Sequence, residues 1–161
     1  MICIPIVGPS MSKAQEQIES ALAIADILEL RLDLIVSPNL SALLASSTLP
    51  VIVTNRSKHD GGQYKGLDQD RVQSLRDALK AGADYVDIEV STPREILQPF
   101  LEESGPAKII LSYHDFSHTP EDFNPIYETM CEMPGEIVKI VTYARDLSDN
   151  LKMFELLKRA K

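Results

Sequence analysis

The sequence predicts an α/β fold in which parallel strands alternate with helices. Short runs rich in isoleucine and valine alternate six times with longer amphipathic stretches, and such an alternation implies parallel strands covered by helices. The 161 residues are enough for one domain with a substantial core. No linker or low-complexity segment divides the sequence, so we expect a single domain.

The predicted strands are short, rich in β-branched residues and bounded by Gly, Pro, Asp or Ser, as buried strands usually are. They cover residues 2–7, 27–33, 51–55, 85–90, 109–114 and 137–142. Helices fill the intervals, and most begin at a residue type that caps a helix N-terminus. The predicted starts are Ser12, Asn39 or Ser41, Leu67, Thr92, Thr119, and Asp146 or Ser148. The predicted ends are Ala25, Ser46, Ala81 before Gly82, about Ser104 and, for the last helix, the C-terminus.

Two architectures fit this order of elements: an open doubly wound sheet and a (β/α) barrel. The sequence has no Gly-x-Gly-x-x-Gly motif after the first predicted strand and no P-loop motif. The nucleotide-binding form of the open sheet therefore loses its main support. Both architectures place their active sites at the carboxyl ends of the strands.

Composition narrows the classes of function. The chain has 16 Lys and Arg against 24 Asp and Glu, a net charge of −8, which argues against nucleic acid or anionic membranes as partners. No apolar run approaches the roughly 18 residues that span a bilayer, and the N-terminus lacks a signal-peptide pattern. With only two cysteines, Cys3 and Cys131, a reduced cytoplasmic protein is expected.

Charged residues inside two predicted strands carry the first functional signal. Glu29, Arg31 and Asp33 alternate with leucines, and Asp87 and Glu89 alternate with Val and Ile, so each charged set shares one face of its strand. A half-exposed antiparallel strand would show the same pattern. In a βα-repeat protein, however, both faces of the sheet are covered, which favours charges that point into a barrel interior or toward its mouth.

Lys139 lies within a β-branched apolar run of the sixth predicted strand. Burying a charged lysine is costly, and a lysine held neutral by burial is a nucleophile that forms Schiff bases with ketones and aldehydes. The alternative is an edge-strand lysine that protects against aggregation. This strand alone favours neither interpretation.

Arg56 and His114 lie at the carboxyl ends of the third and fifth predicted strands. Histidine is the usual general acid–base near neutral pH, although a single histidine is more often a polar turn residue. His118 follows at helical metal-ligand spacing, but this segment is predicted as strand and loop, so no metal site is expected. Together with Lys139, these residues predict Schiff-base chemistry on a carbonyl compound, proton transfer by His114 and an arginine that binds the substrate.

Five segments, in order along nearly the whole chain, carry a family resemblance. They are residues 29–33 (ELRLD), 54–57 (TNRS) with the glycine pair 61–62, 85–89 (YVDIE), 112–116 (SYHDF) and 138–140 (VKI). On these segments the sequence resembles the type I 3-dehydroquinate dehydratases of the shikimate pathway. The resemblance implies a TIM-type (β/α) barrel that dehydrates 3-dehydroquinate to 3-dehydroshikimate without a metal or organic cofactor.

The resemblance also implies roles for the matching side chains. Lys139 would form the imine with the substrate ketone. His114 would remove the proton and help the hydroxyl leave as water. Glu29, Arg31 and Arg56 would bind substrate hydroxyls and shape the pocket.

The sequence departs from the family's pattern at two points. Asp60 stands where the family has a glutamate that orients the catalytic histidine, and its side chain is shorter by one methylene. The family's barrel has eight βα units, of roughly 250 residues in this fold, whereas the sequence predicts six. The expected domain is therefore residues 1–161 as one incomplete barrel, without a substrate-carboxylate arginine and a closing loop.

Three hypotheses for the function remain open. The first is the dehydratase with 3-dehydroquinate as its substrate. The second is a non-catalytic fragment or remnant, such as the N-terminal piece of a fusion with shikimate dehydrogenase. Its open edges would lead it to self-associate, or a longer protein would supply the missing region. The third is a Schiff-base enzyme of aldolase type.

Overall fold

A computed structural model describes residues 1–103 and 105–160, which form one six-stranded sheet. The strands are β1 (Cys3–Ile6), β2 (Ile27–Arg31), β3 (Val51–Thr54), β4 (Tyr85–Glu89), β5 (Lys108–Asp115) and β6 (Ile137–Thr142). All neighbours are parallel, and their order in space follows their order in the chain. A doubly wound sheet reverses its strand order at a switch point, so this order excludes that alternative.

The sheet is curled into an open half-barrel. β2 and β6 are four strand positions apart, which corresponds to about 19 Å in a flat sheet. Nevertheless, Nζ of Lys139 on β6 lies 3.8 Å from Oε1 of Glu29 on β2, which requires a curled sheet. β1 and β6 are the edges of the sheet in the described residues. The predicted class, an incomplete TIM-type α/β barrel of six parallel strands, is confirmed.

The helices alternate with the strands as predicted. They are α1 (Met11–Ala21), α2 (Leu40–Ala45), α3 (Asp68–Ala81), α4 (Arg94–Leu101), α5 (Asn124–Cys131) and α6 (Leu147–Arg159). Asn39 and Asp146 cap α2 and α6 through their side chains, as the sequence predicts. Gly82, in the left-handed conformation with φ of 90°, ends α3 because glycine adopts that conformation without steric cost.

The first helix ends at Ala21, four residues before the predicted Ala25. Three predicted helix starts are also wrong, since other groups engage the expected capping side chains. Ser10 rather than Ser12 caps α1. Thr92 does not cap α4; its hydroxyl accepts a hydrogen bond of 2.9 Å from Nη2 of Arg71. Thr119 does not start α5, because its hydroxyl donates to the Tyr143 carbonyl at 3.0 Å. Two further predicted boundaries, Ser104 and the C-terminal residue 161, lie outside the described residues.

Apolar and polar residues separate onto the two faces of the sheet. The alternate apolar residues of the central strands pack outward against the helices and are fully buried, among them Leu28, Leu30, Val53, Val86, Ile88 and Leu111. Each such side chain contributes about 1.5–3 kcal/mol by leaving water. The polar residues between them therefore face the interior of the half-barrel. Within residues 1–103 and 105–160, no helix has the length and apolar character that crossing a membrane requires.

Candidate active site

The interior face of the half-barrel brings Lys139 and His114 to one surface. Ser112 of β5 pairs with Lys139 of β6, and residues paired between parallel neighbours place their side chains on the same face. His114 lies two residues beyond Ser112 and shares that face. The lysine and the histidine therefore lie on adjacent strands of the same inner surface.

The amine of Lys139 is paired with carboxylates. Its Nζ donates a hydrogen bond of 3.0 Å to Oδ2 of Asp87 and lies 3.8 Å from Oε1 of Glu29. Glu29 in turn accepts a 2.8 Å hydrogen bond from the hydroxyl of Thr54. The side chain of Lys139 is 35% exposed, and β6 is an edge of the sheet in the described residues. Of the two interpretations that the sequence left open, burial among apolar residues is therefore wrong and the position on an edge strand is confirmed. The β-branched neighbours of the lysine in sequence face the opposite side of the strand.

A buried network of ion pairs lies beneath Lys139 and His114. The guanidinium of Arg56 lies 2.8 Å from Asp87 and 2.9 Å from Glu89, and it donates to the hydroxyl of Ser112. Arg71 of α3 pairs with the second oxygen of Glu89. Burial alone would raise the pKa of Asp87, but the charges of Arg56 and Lys139 outweigh burial and hold that pKa below its usual range.

Removing Arg71 is expected to destabilise the chain strongly. Its side chain is 1% exposed, and the Arg71→Met variant leaves the buried Glu89 with one cationic partner instead of two. Breaking a buried ion pair from one side costs about 3–5 kcal/mol. Arg76→Met on the same helix is the matched control: Arg76 pairs with Glu103 at 22% exposure, and such a pair contributes about 0–1 kcal/mol. Equal losses in urea unfolding of the two variants would contradict this expectation.

Asp60 and His114 face each other across a gap. Oδ1 of Asp60 lies 3.8 Å from Nδ1 of His114, which is longer than a hydrogen bond. Burial is the main cause that lowers the pKa of His114 to about 4. Arg56 and Lys139 add to the effect, and Asp87 and Asp60 oppose it. The imidazole is consequently neutral at neutral pH, as a general base requires.

The same pKa predicts how stability depends on pH. His114 has a pKa of about 4 when folded, against 6.5 for an ordinary histidine. Between these values the unfolded chain binds a proton that the folded chain does not, so the free energy of unfolding falls as pH drops through this window. Urea unfolding at about pH 7 and about pH 4.5 should therefore differ more in the wild type than in His114→Ala. His118→Ala, whose side chain is 50% exposed, should keep the wild-type difference. An unchanged difference in His114→Ala would contradict the assignment.

The glycine pair after β3 forms a packed turn beside His114. Gly61 has φ of 80°, in the left-handed region that favours glycine, and a Cβ there would collide with the ring of Phe116. A Cβ at Gly62 would overlap the carbonyl of Arg56. Phe116 stacks on His114, with 5.9 Å between ring centroids and 16° between ring planes. Glycine at position 61 therefore allows Phe116 to pack between this turn and the imidazole, and glycine at position 62 allows the turn to pass close to the Arg56 backbone.

Arg31 is held at the end of β2. It makes a bidentate pair with Asp33, with Nε–Oδ1 at 2.9 Å and Nη2–Oδ2 at 2.8 Å. Its side chain is 21% exposed. The candidate substrate-binding residues thus differ in solvent exposure. Arg56 is 3% exposed, and its guanidinium is already paired with Asp87 and Glu89. The side chains of Arg31 and Glu29 are partly exposed.

Sequence reasoning assigned no role to several residues that hold the site together. Arg71 had a detectable signal, because it lies four residues before the buried Leu75 on the apolar stripe of α3, where an arginine needs a buried partner. Ser112 also had a detectable signal in the sequence, since it shares a strand face with His114.

In residues 1–103 and 105–160, no three His, Cys, Asp or Glu side chains lie close enough together to hold a metal ion.

Relatives in sequence match over almost the whole chain. The family model of type I 3-dehydroquinase matches residues 2–161. A 3-dehydroquinate dehydratase from Methanococcus maripaludis strain C7 is 35% identical over 99% of this chain and 74% of the relative. The bifunctional 3-dehydroquinate dehydratase/shikimate dehydrogenase of Arabidopsis thaliana is 33% identical over 99% of this chain and 28% of that protein.

Solved structures match the half-barrel. A type I 3-dehydroquinate dehydratase from Clostridium difficile superposes with a TM-score of 0.85 at 26% identity, over 96% of this chain and 67% of that one. The 3-dehydroquinate dehydratase from Aquifex aeolicus gives a TM-score of 0.79 at 27% identity, over 100% and 74% of the two chains. Both similarities extend across all six βα units of the half-barrel.

Proposed function

The chain belongs to the type I 3-dehydroquinase family, whose members are lyases, and on this premise we propose that it dehydrates 3-dehydroquinate through a Schiff base on Lys139. The observation that carries the proposal is the placement of Lys139 and a neutral His114 on adjacent strands of one inner surface. A cytoplasmic location, within the shikimate pathway, is part of the same proposal.

In the proposed reaction, the unprotonated amine of Lys139 adds to the ketone carbon, and the adduct takes up one proton from solvent and loses water to give a protonated imine. The positive nitrogen withdraws electrons, which acidifies the adjacent carbon. His114 takes the proton from that carbon, and an enamine forms. The enamine electrons then expel the hydroxyl, which leaves as water with the proton from His114. Hydrolysis of the protonated imine releases 3-dehydroshikimate, returns the proton to solvent and restores the amine, so the net change is the loss of one water.

The other candidate residues are proposed to bind and orient. Glu29 and Arg31 are partly exposed on the inner face and are suited to hydrogen bonds with substrate hydroxyls. Arg56 places a positive charge beneath the pocket while it holds Asp87 and Glu89. Chemistry of this kind needs no metal or organic cofactor.

The test of this function is direct turnover. The chain is incubated with 3-dehydroquinate, and formation of 3-dehydroshikimate is followed alongside a panel of other keto acids. Dehydration of 3-dehydroquinate supports the proposal. Carbon–carbon cleavage of a keto acid without dehydration would overturn it in favour of the aldolase-type alternative.

A second candidate is a non-catalytic fragment or remnant, and the open ends of the half-barrel favour it. α6 exposes four large apolar side chains, Leu147, Leu151, Phe154 and Leu157, at 84%, 61%, 65% and 61%. In this candidate, residues 1–161 form one incomplete domain, and the exposed face is covered either by a second copy or by two further βα units of a longer protein. Light scattering together with the turnover assay separates the candidates, because a monodisperse monomer with normal turnover is incompatible with the remnant.

A further inference from the structure

Ser91 lies just beyond β4, and the proposed reaction gives it no role. Its hydroxyl donates a hydrogen bond of 2.7 Å to Oδ2 of Asp60. The hydroxyl of Ser57 donates a second, of 2.8 Å, to the same oxygen, and Nδ1 of His59 stands 3.3 Å from it. Three polar groups from two loops therefore gather on a single carboxylate oxygen.

The other oxygen of Asp60, Oδ1, faces His114 but does not form a hydrogen bond with it. Both side chains are nearly buried, at 4% and 6% exposure, with Oδ1 and Nδ1 separated by 3.8 Å. Nδ1 of His114 has no hydrogen-bond partner among the described residues. A buried imidazole nitrogen normally has a hydrogen-bond partner. Because the nearby carboxylate does not close the gap, other contacts must hold the carboxylate in place.

We propose that Ser91 is a positioning residue: together with Ser57 it anchors Oδ2 of Asp60 and so holds the carboxylate short of a hydrogen bond with His114. The inference rests on the proposed function only in treating His114 as the group that transfers protons. Ser91 belongs to the β4–α4 loop and Asp60 to the β3–α3 loop, so the hydrogen bond also ties together two loops at the carboxyl ends of their strands.

The charges around the two groups determine the effect of removing the anchor. Burial, Arg56 and Lys139 disfavour the charged imidazole, whereas Asp87 and Asp60 favour it. Burial raises the pKa of Asp60, but the hydrogen bonds from Ser91, Ser57 and His59 outweigh it, so this pKa lies below its usual range. Without Ser91, the ionised carboxylate is held only by Ser57 and His59 of its own loop. It is then no longer tied to the β4–α4 loop and can close on the imidazole and stabilise its charged form.

The experiment is an NMR titration of His114 in the full chain without substrate. In Ser91→Ala the titration midpoint is expected to rise by on the order of one pH unit. Ser91→Thr keeps the hydroxyl and should titrate as the wild type does. Ser20→Ala removes an exposed hydroxyl on α1 that bonds only the Glu16 carbonyl, and it serves as the matched control.

A midpoint that does not move in Ser91→Ala overturns the proposal, because Ser91 then does not restrain Asp60. Asp60→Asn added to Ser91→Ala should abolish the rise, and a rise that persists without the carboxylate also overturns it. If circular dichroism shows that Ser91→Ala is unfolded, Ser91→Cys, a weaker donor of similar size, takes its place with the same expected direction. The titration needs no turnover, so its failure is distinct from failure of the proposed function.

Discussion

Lys139→Met is expected to lose turnover of 3-dehydroquinate by on the order of 10⁴-fold or more, as the loss of an enzyme's covalent nucleophile does. Methionine is also unbranched and is shorter by one atom, with a thioether sulfur in place of one methylene and no amine. The fold should persist, because Lys139 is 35% exposed on the edge strand and Asp87 keeps Arg56 as its partner at 2.8 Å. Steady-state turnover, with circular dichroism as the check on folding, measures the effect.

The matched control for this variant is Lys152→Met. Lys152 is also a lysine held by two carboxylates, Glu121 at 3.1 Å and Asp149 at 3.2 Å, but it lies on α6 outside the inner surface. Its turnover should equal that of the wild type. Turnover of Lys139→Met within about tenfold of the wild type would contradict a Schiff base on this residue.

His114→Ala is expected to slow turnover by about 10²–10⁴-fold, which is the contribution of a positioned general acid–base. The variant should still form the imine, because Lys139 supplies the nucleophile, and the adduct should accumulate before the proton is removed. Borohydride reduction and then mass spectrometry are therefore expected to find the lysine modified in a variant that hardly turns over.

His118→Ala is the control for the histidine. His118 lies on the exposed loop after β5, where it contacts Asp115 and Ser117, and its removal should leave turnover unchanged. If His114→Ala turned over at the wild-type rate, the role of His114 in proton transfer would be refuted. If it formed no adduct while remaining folded, His114 would have to act before imine formation.

Local patterns in the sequence were enough to predict the six strands and their parallel arrangement, whereas the choice of a barrel over an open sheet rested on the family resemblance. Alternation of apolar and polar residues, with turn residues at the boundaries, located each of the six strands to within two residues at either end. The same alternation placed Glu29 and Arg31 on one face of β2 and the buried leucines on the other. These signals are local because a strand's two faces repeat every two residues.

The features that the sequence did not predict depend on contacts between distant segments. The hydroxyl of Thr119 bonds the chain after β6, which displaces the expected helix start. The apolar neighbours of Lys139 in sequence could not decide between a buried lysine and an edge-strand lysine, because the curl of the sheet places it beside Glu29, which is far away in the sequence. Ser91 carries no motif, and its bond to Asp60 spans 31 residues. Sequence spacing alone does not encode any of these distances.

Borohydride trapping of the wild-type chain tests the Schiff base on Lys139 most directly. The folded protein is incubated with 3-dehydroquinate, reduced, digested and analysed by mass spectrometry. We predict a substrate adduct on the peptide that contains Lys139, with Lys152 and the remaining lysines unmodified. A folded sample that carries no adduct, or an adduct on another lysine alone, would contradict it.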